Sequence, residues 1–298
     1  MSDHFHHFST PEIRRAGHRR DCDNVPTSID CFGLRDQNRI YRKNAREAAA
    51  DLAISFDKVA SIYDATRWSG VPAPIMQKIL VSMKEALREC HLILDVGSGT
   101  GRFAQYFQDD GFTVVGVDLS LSMMAQAREK GVRDLVRADA HRLPFRDQSF
   151  DGSIMIHVLH LVHDWVQTIR EVGRVTRRIM ISEAGDAEGF SVRQRYLEIR
   201  HELGYPLNRL NDGEFGLRKI ISPKFVMQAG DYWTEVRAKE EISSLEARRS
   251  SVMLDLPKDI HGKIMKRLHA DYDGKILKRH DIPEVVGWDP TRLREFKP

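Results

Sequence analysis

Cysteine is scarce in this chain: Cys22, Cys31 and Cys90 are three in 298 residues, an odd number that leaves one thiol unpaired in any arrangement. Free thiols in a reducing compartment are the simplest reading, and the expected location is cytoplasmic. Long apolar runs are also missing. The longest stretch free of Asp, Glu, Lys and Arg is Gly152–His163, 12 residues with histidines inside it. A membrane-spanning helix needs about 20 apolar residues, so no membrane partner is expected. The first twenty residues have no apolar core, which excludes a secretory signal, and their Asp and Glu argue against a transit peptide. Charge of one sign is lacking too: 46 basic against 43 acidic residues give +3, too balanced to argue for nucleic acid by itself. There is no internal repeat or low-complexity tract. His4, His6, His7, Cys22 and Cys31 match no zinc spacing, so no metal is expected and a solvated tail is the plain reading.

What is present is the composition of a globular protein, 41% hydrophobic and 30% charged, with length for about two domains or one elaborated domain. A chain of this size buries a full core without disulfides or a structural metal. Residues 1–40 read as a polar, mobile leader. Leu52, Phe56, Val59 and Tyr63 recur at helical spacing within 48–67, and Pro72–Glu89 reads as a second helix. The period then changes. Strand-like Leu92–Val96, Thr113–Val117, Leu135–Ala138, Gly152–His157 and Ile179–Ser182 alternate with helical Phe103–Asp109, Ser120–Lys130 and Asp164–Thr176. That alternation specifies a parallel α/β sheet with right-handed crossovers. After Glu183 it weakens. Phe190–Leu203, Ile242–Arg249 and Asp259–His269 read as helices, Tyr205–Gly216 as a polar loop, and Tyr232–Ala238 as an antiparallel strand.

The chemistry centres on LILDVGSGTGRF, residues 92–103. A strand runs into Asp95, then Gly97, Ser98, Gly99 and Gly101, then a helix. Glycines there let a ligand approach backbone at the carboxyl edge of the first strand, where open α/β sheets bind ligands. The dinucleotide fingerprint needs its third glycine one residue later, where Arg102 stands, and no Gly-Lys-Ser/Thr follows for a phosphate loop. An acid at Asp95 would repel a pyrophosphate and suits an ammonium group. Asp118, 21 residues after Gly97, ends the second strand and can accept both hydroxyls of a ribose. Asp139 ends the third and can accept from an aminated base. Each Asp alone could be a helix cap. Three at consecutive strand ends imply a ligand with an amine, a ribose and an aminated base.

With FDKVASIYD, ILDVGSGTG, VVGVDLS, RADAHRLPFRDQSFD and IHVLHLVHDW, the chain from about Phe56 to Glu183 resembles the class I S-adenosylmethionine-dependent methyltransferases of type 11. The resemblance implies a Rossmann-like α/β fold: a seven-stranded, mostly parallel sheet with helices on both faces, an N-terminal helical segment and a C-terminal cap. Residues 41–183 would form the core, and 184–298 the remaining strands and the substrate cap. It implies S-adenosylmethionine as cofactor, cradled by Gly97, Ser98, Gly99 and Gly101. Asp95 would orient its amine, Asp118 its ribose, and Asp139 with Ala140 its adenine, between Leu119 and Met123. His157 would lie at the methionine end, with Tyr63 and Arg67 closing over the cofactor. The family's Pro-Gly-Gly before strand five is missing from RVTRRIMISE, which puts strand boundaries in question.

His157 is the better candidate for a general base, with His160 and Tyr63 beside it, and Arg67, Arg193, Tyr196 and Arg200 as further acceptor-pocket candidates. Satisfied histidines at 157, 160 and 163, and packing alone for Tyr63, are the plainer alternatives; His141 reads as surface. A small-molecule acceptor methylated on O, N or C is the first expectation. RNA is the second, on the basic segment Lys258–Arg279, whose plainer reading is a solvated helix face. A non-catalytic, partner-binding relative is the alternative from another class. The sequence is silent on oligomeric state.

Overall fold

The computed structural model describes residues 60–64, 71–189, 191–205, 213–246, 253 and 256–298. The expected leader, most of the first helix and Arg67 lie outside these.

Helix α1 (Ala73–Ala86) begins after Pro72 and buries Ile75, Met76, Ile79 and Met83 on one face. The alternation then unfolds as β1 (Leu92–Val96), α2 (Arg102–Asp109), β2 (Thr113–Asp118), α3 (Leu121–Glu129), β3 (Asp134–Arg137), β4 (Phe150–Met155), α4 (Trp165–Val175) and β5 (Thr176–Glu183). Ser120 and Asp164 cap α3 and α4, their side chains accepting from Met123 N and Gln167 N. The missing Pro-Gly-Gly has a simple consequence: α4 passes into β5 without a loop, and β5 starts at Thr176, three residues earlier than the apolar run indicates.

The rest of the chain supplies β6 (Asp186–Gly189), α5 (Val192–Glu202), α6 (Gly213–Ile220), β7 (Phe225–Gln228), β8 (Tyr232–Arg237), α7 (Ala238–Glu246), α8 (Lys258–Tyr272), β9 (Ile276–Ile282), β10 (Glu284–Trp288) and α9 (Pro290–Arg294). The main sheet has seven strands in the order β3-β2-β1-β4-β5-β10-β7, parallel except for β10. This is the expected mixed α/β fold. Its strand order reverses between β1 and β4, the place where such sheets open a ligand crevice.

Successive residues of β1 feed opposite faces: Ile93 joins the core under α1 and α2, and Leu94 joins the core under α4, with Phe150, Met180 and Trp288. A second sheet, β6-β9-β8, carries α5, α7 and α8, which enclose a separate core of Val192, Tyr196, Ile199, Ile242, Ile264 and Leu268. Tyr232–Arg237 is antiparallel as expected, but in this smaller sheet, paired with β9. The expected loop over Tyr205–Gly216 is corrected at its end, where α6 starts at Gly213 because Leu217 and Ile221 reach the main core. No helix among the described residues is long and apolar enough to cross a membrane.

Candidate functional site

The turn after β1 is held by backbone. Gly97 and Ser98 N–H donate to Val117 O at 2.8 and 2.9 Å, and Gly97, Gly99 and Gly101 all take left-handed φ of +70°, +54° and +73°. Their reasons differ. A Cβ on Gly97 would lie 2.4 Å from Val158 Cγ2, and one on Gly101 would lie 2.7 Å from Ala127 Cβ, so both are packing constraints. A Cβ on Gly99 would meet Met123 Cε at 3.5 Å and Gly97 O at 3.9 Å, both ordinary contacts. Gly99 therefore presents bare backbone on the open side, with buried Met123 beside it.

Asp118 ends β2 as the edge of this cradle. Its Oδ2 accepts from Gly99 N and its Oδ1 from Ser120 N, both at 2.8 Å, which keeps the carboxylate aligned at the strand end. Asp95 is buried beneath. Among the described residues its Oδ2 and the buried Ser98 Oγ have no hydrogen-bond partner. Burial, reinforced by the charge of Asp118, pushes the Asp95 carboxyl up to about 7. A buried acceptor without a donor is costly, so this arrangement fits a ligand that brings the donor.

Asp139 follows β3. His141 N donates to its Oδ1 at 2.9 Å, and His141 Nδ1 lies 2.5 Å from the same oxygen. Burial would raise Asp139, but the bonds from His141 outweigh it and hold the carboxyl below its ordinary value. His141 is thus not a surface residue. Its ring is largely enclosed, 4.2 Å from that of His163, and its Nε2 accepts from Asp164 N. Leu119 and Ala140 are half-buried beside these acids.

The ends of β4 and β5 form the other half of the cleft. His157, two residues past β4, has φ +57°. Its Nε2 is 3.7 Å from Oε2 of Glu183, the last residue of β5. The turn is held by buried Glu214 of α6, whose Oε1 accepts from Val158 N at 2.8 Å and Leu159 N at 3.2 Å. His160 packs under the start of α6, its ring 6.3 Å from that of His157, whereas His163 turns away to His141. Tyr63 is half-buried, and its neighbour Asp64 accepts from Thr100 Oγ1 at 2.6 Å and pairs with Lys130. The N-terminal segment is therefore tied to the glycine turn.

Some expected acceptor residues belong elsewhere. Tyr196 is fully buried in the core that α5, α7 and α8 enclose, its hydroxyl 2.8 Å from His261 Nδ1. Arg200 is buried too, its Nε donating to Tyr205 O at 2.6 Å. Both lie on the face of α5 that turns inward; Arg193 lies on its exposed side. In the basic segment, Arg267, Lys278 and Arg279 pair with Glu202, Glu235 and Asp281. Sequence reasoning missed Glu183 and Glu214. Glu183 carried the same signal as Asp118 and Asp139, an acid at a strand end. Glu214 lay in a stretch read as loop. No group of three metal-ligating side chains is assembled among the described residues.

The donors and acceptors at the strand ends fit the amine, ribose and base of S-adenosylmethionine: an orphaned acid, an aligned acid and bare backbone at Gly99. Comparison with known proteins bears on the family of the chain. Residues 94–179 match the methyltransferase domain family. The chain is 30% identical over 163 residues to a demethylmenaquinone methyltransferase of Streptomyces griseus, covering 53% of this chain and 70% of that one. It is 30% identical over 127 residues to the malonyl-[acyl-carrier protein] O-methyltransferase of Pseudescherichia vulneris, covering 42% of this chain and 49% of that one. Other relatives, such as the demethylmenaquinone methyltransferase of Beutenbergia cavernae, are spanned over little more than half their length, here 58%. A solved S-adenosylmethionine-dependent methyltransferase from Thermotoga maritima aligns at 18% identity and a TM-score of 0.42, over 76% of this chain and 96% of that one. The chain belongs to the S-adenosylmethionine-dependent methyltransferases.

Proposed function

We propose that this chain transfers a methyl group from S-adenosylmethionine to an O, N or C nucleophile of a small molecule. The observation that carries the reading is the unpartnered Oδ2 of Asp95 under the glycine turn, beside Asp118 and Asp139 at the next two strand ends. Asp95 would receive the amine of the cofactor, with Ser98 beside it. Asp118 would hold the ribose hydroxyls while keeping Gly99 in place, and Asp139 with Ala140 would hold adenine, with Leu119 and Met123 on its faces. When bound, S-adenosylmethionine supplies a methyl carbon made electrophilic by its sulfonium. The protein's part is alignment and exclusion of water. Tyr63 and the Asp64–Thr100 bond would close the N-terminal segment over the cleft, and the chain after Glu183 would cap the acceptor. That the relatives named for their substrates methylate small molecules or carrier-bound ones supports a small-molecule acceptor.

The test is thermal unfolding with S-adenosylmethionine, S-adenosylhomocysteine and NAD in parallel. At about 100 times Kd a ligand adds about 2.7 kcal/mol, enough to raise the midpoint by several degrees. A rise with both sulfur ligands and none with NAD is expected. The reverse pattern would remove the reading.

A further inference from the structure

Cofactor binding leaves one arrangement in the cleft unexplained. His157 sits in left-handed backbone, which a side-chain-bearing residue adopts only when its surroundings enforce it. Glu214 enforces it: its buried carboxylate takes the N–H groups of Val158 and Leu159 and bonds the backbone of His157. The result brings the imidazole to Glu183, Nε2 to Oε2 at 3.7 Å. His157 is the more exposed of the two, 37% against 14%, so the imidazole is the member of the pair open to solvent. The register Ile154↔Ile181 sets both at the same edge of the sheet, and Val158 packs against Gly97, which puts the pair beside the glycine turn.

We propose that His157 accepts the proton of the methyl acceptor, that Glu183 is the positioning residue that balances the imidazolium, and that Glu214 holds the turn that aims them. This rests on the methyltransferase reading above. A lone pair on the acceptor's oxygen or nitrogen forms the bond to the methyl carbon as the carbon–sulfur bond breaks, its electron pair staying on sulfur. The acceptor's proton passes to the His157 imidazole. Burial first, then the charges of Glu214 on α6 and Asp281 on β9, push Glu183 up to about 7, opposed by the N–H of Gly185. Tyr232 of β8 faces the same group, its hydroxyl raised by burial, Asp281 and Glu183 against the opposing charge of Arg279. Asp281 is itself engaged by Arg279 and Thr234. A wall of this charge favours an uncharged acceptor that sheds a proton over an anionic one.

The test reads protonation and needs no acceptor. The chain, labelled with 13C at histidine Cε1 and glutamate Cδ, is titrated by NMR as wild type, Glu183→Gln and His157→Asn, with and without S-adenosylhomocysteine. Asparagine tolerates left-handed backbone, so the second variant keeps the turn. In Glu183→Gln the acid dissociation constant of His157 rises about tenfold or more, because the imidazolium loses its partner. In His157→Asn the dissociation constant of Glu183 falls by a similar factor, since coupling is reciprocal. Either variant alone decides the matter. Titrations that ignore the partner's substitution overturn the pair. Failure of the wild type to bind S-adenosylhomocysteine overturns the methyltransferase reading instead, and the coupling is still read in the ligand-free chain.

Discussion

The two halves of the strand-end face treat their carboxylates in opposite ways. On the half built by β2 and β3, acids meet N–H donors: Gly99 and Ser120 for Asp118, His141 for Asp139, which is held below its ordinary value. On the half built by β4, β5 and α6, Glu183 and Glu214 are buried near one another and held above theirs. Asp95, in β1, lies between the halves and behaves like the second, at about 7. The difference is which influence wins: hydrogen bonds outweigh burial at Asp139, whereas burial outweighs the N–H bonds that Glu214 takes from Val158 and Leu159 and Glu183 from Gly185. An acid that accepts hydrogen bonds from uncharged hydroxyls and amines works when ionised and aligned beforehand. An acid that awaits a cation can be left raised by burial, because the cation itself brings it down.

The largest effect that separates the halves is expected at Asp118. Replacing it with Ala removes the two charged acceptors proposed for the ribose and frees the N–H groups of Gly99 and Ser120. Hydrogen bonds to a charged group contribute about 1.5–3 kcal/mol each, so affinity for S-adenosylhomocysteine should fall at least about a hundredfold by calorimetry. Unchanged affinity would remove Asp118 from the cofactor half.

Asp95 gives the next effect, and its sign is the opposite of an ordinary surface acid. A carboxyl raised from 3.8 to about 7 binds more protons folded than unfolded between those values, so the ligand-free chain loses stability as pH rises through that window. Glu183, raised from 4.5 to about 7, adds in the same sense. Cofactor binding runs the other way, because an ammonium favours ionised Asp95. Affinity should rise up to about tenfold per pH unit below about 7 and level off above. Asp95→Asn should flatten the profile. A wild-type Kd that stays constant between pH 6 and 8 would place the amine elsewhere.

Much of this site was legible in sequence because its signals are local. Glycines and an acid within seven residues mark the turn after β1, and Asp118 and Asp139 each end a short apolar run. What was missed depends on contacts between distant segments. Strands β7 and β10 are four and five residues long and pair across more than fifty residues, so neither carries much periodicity. Glu183 fell one residue beyond the strand drawn from Ile179–Ser182, although β5 includes it. The helix expected over Phe190–Leu203 is present as α5, but the sequence did not show which face it buries or against what. Tyr196 and Arg200 therefore looked like pocket lining, whereas Tyr196 belongs to the core that α5, α7 and α8 enclose and Arg200 bonds the backbone of Tyr205.

A smaller effect is expected at His141, which sharpens the first half of the comparison. His141→Ala removes the ring bond to Asp139 and leaves the backbone bond from residue 141. Asp139 should then titrate nearer its ordinary value. Its contribution to stability, present above 3.8 and lost as pH falls through the depressed folded value, should shrink. Affinity for S-adenosylhomocysteine should fall by less than about tenfold, since one supporting bond is worth about 1 kcal/mol. A loss as deep as that from Asp118→Ala would mean that His141 itself touches the ligand.

The smallest effect concerns how the N-terminal segment joins the cofactor half. Thr100 Oγ1 donates to Asp64, and Lys130 pairs with the same carboxylate. Burial would raise Asp64, but these partners hold it below its ordinary value. Because Asp64 is partly exposed, with 39% of its side chain open, solvent screens the pairing. Thr100→Val keeps the shape of the turn and removes only the donor. Stability should fall by about 1 kcal/mol or less. Cofactor affinity should fall by about threefold, through a faster dissociation rate, because the segment that carries Tyr63 is then less firmly closed. Stopped-flow dissociation of S-adenosylhomocysteine reads this directly. A slower association with unchanged dissociation would show instead that Thr100 shapes the entrance, and that the segment does not act as a clasp.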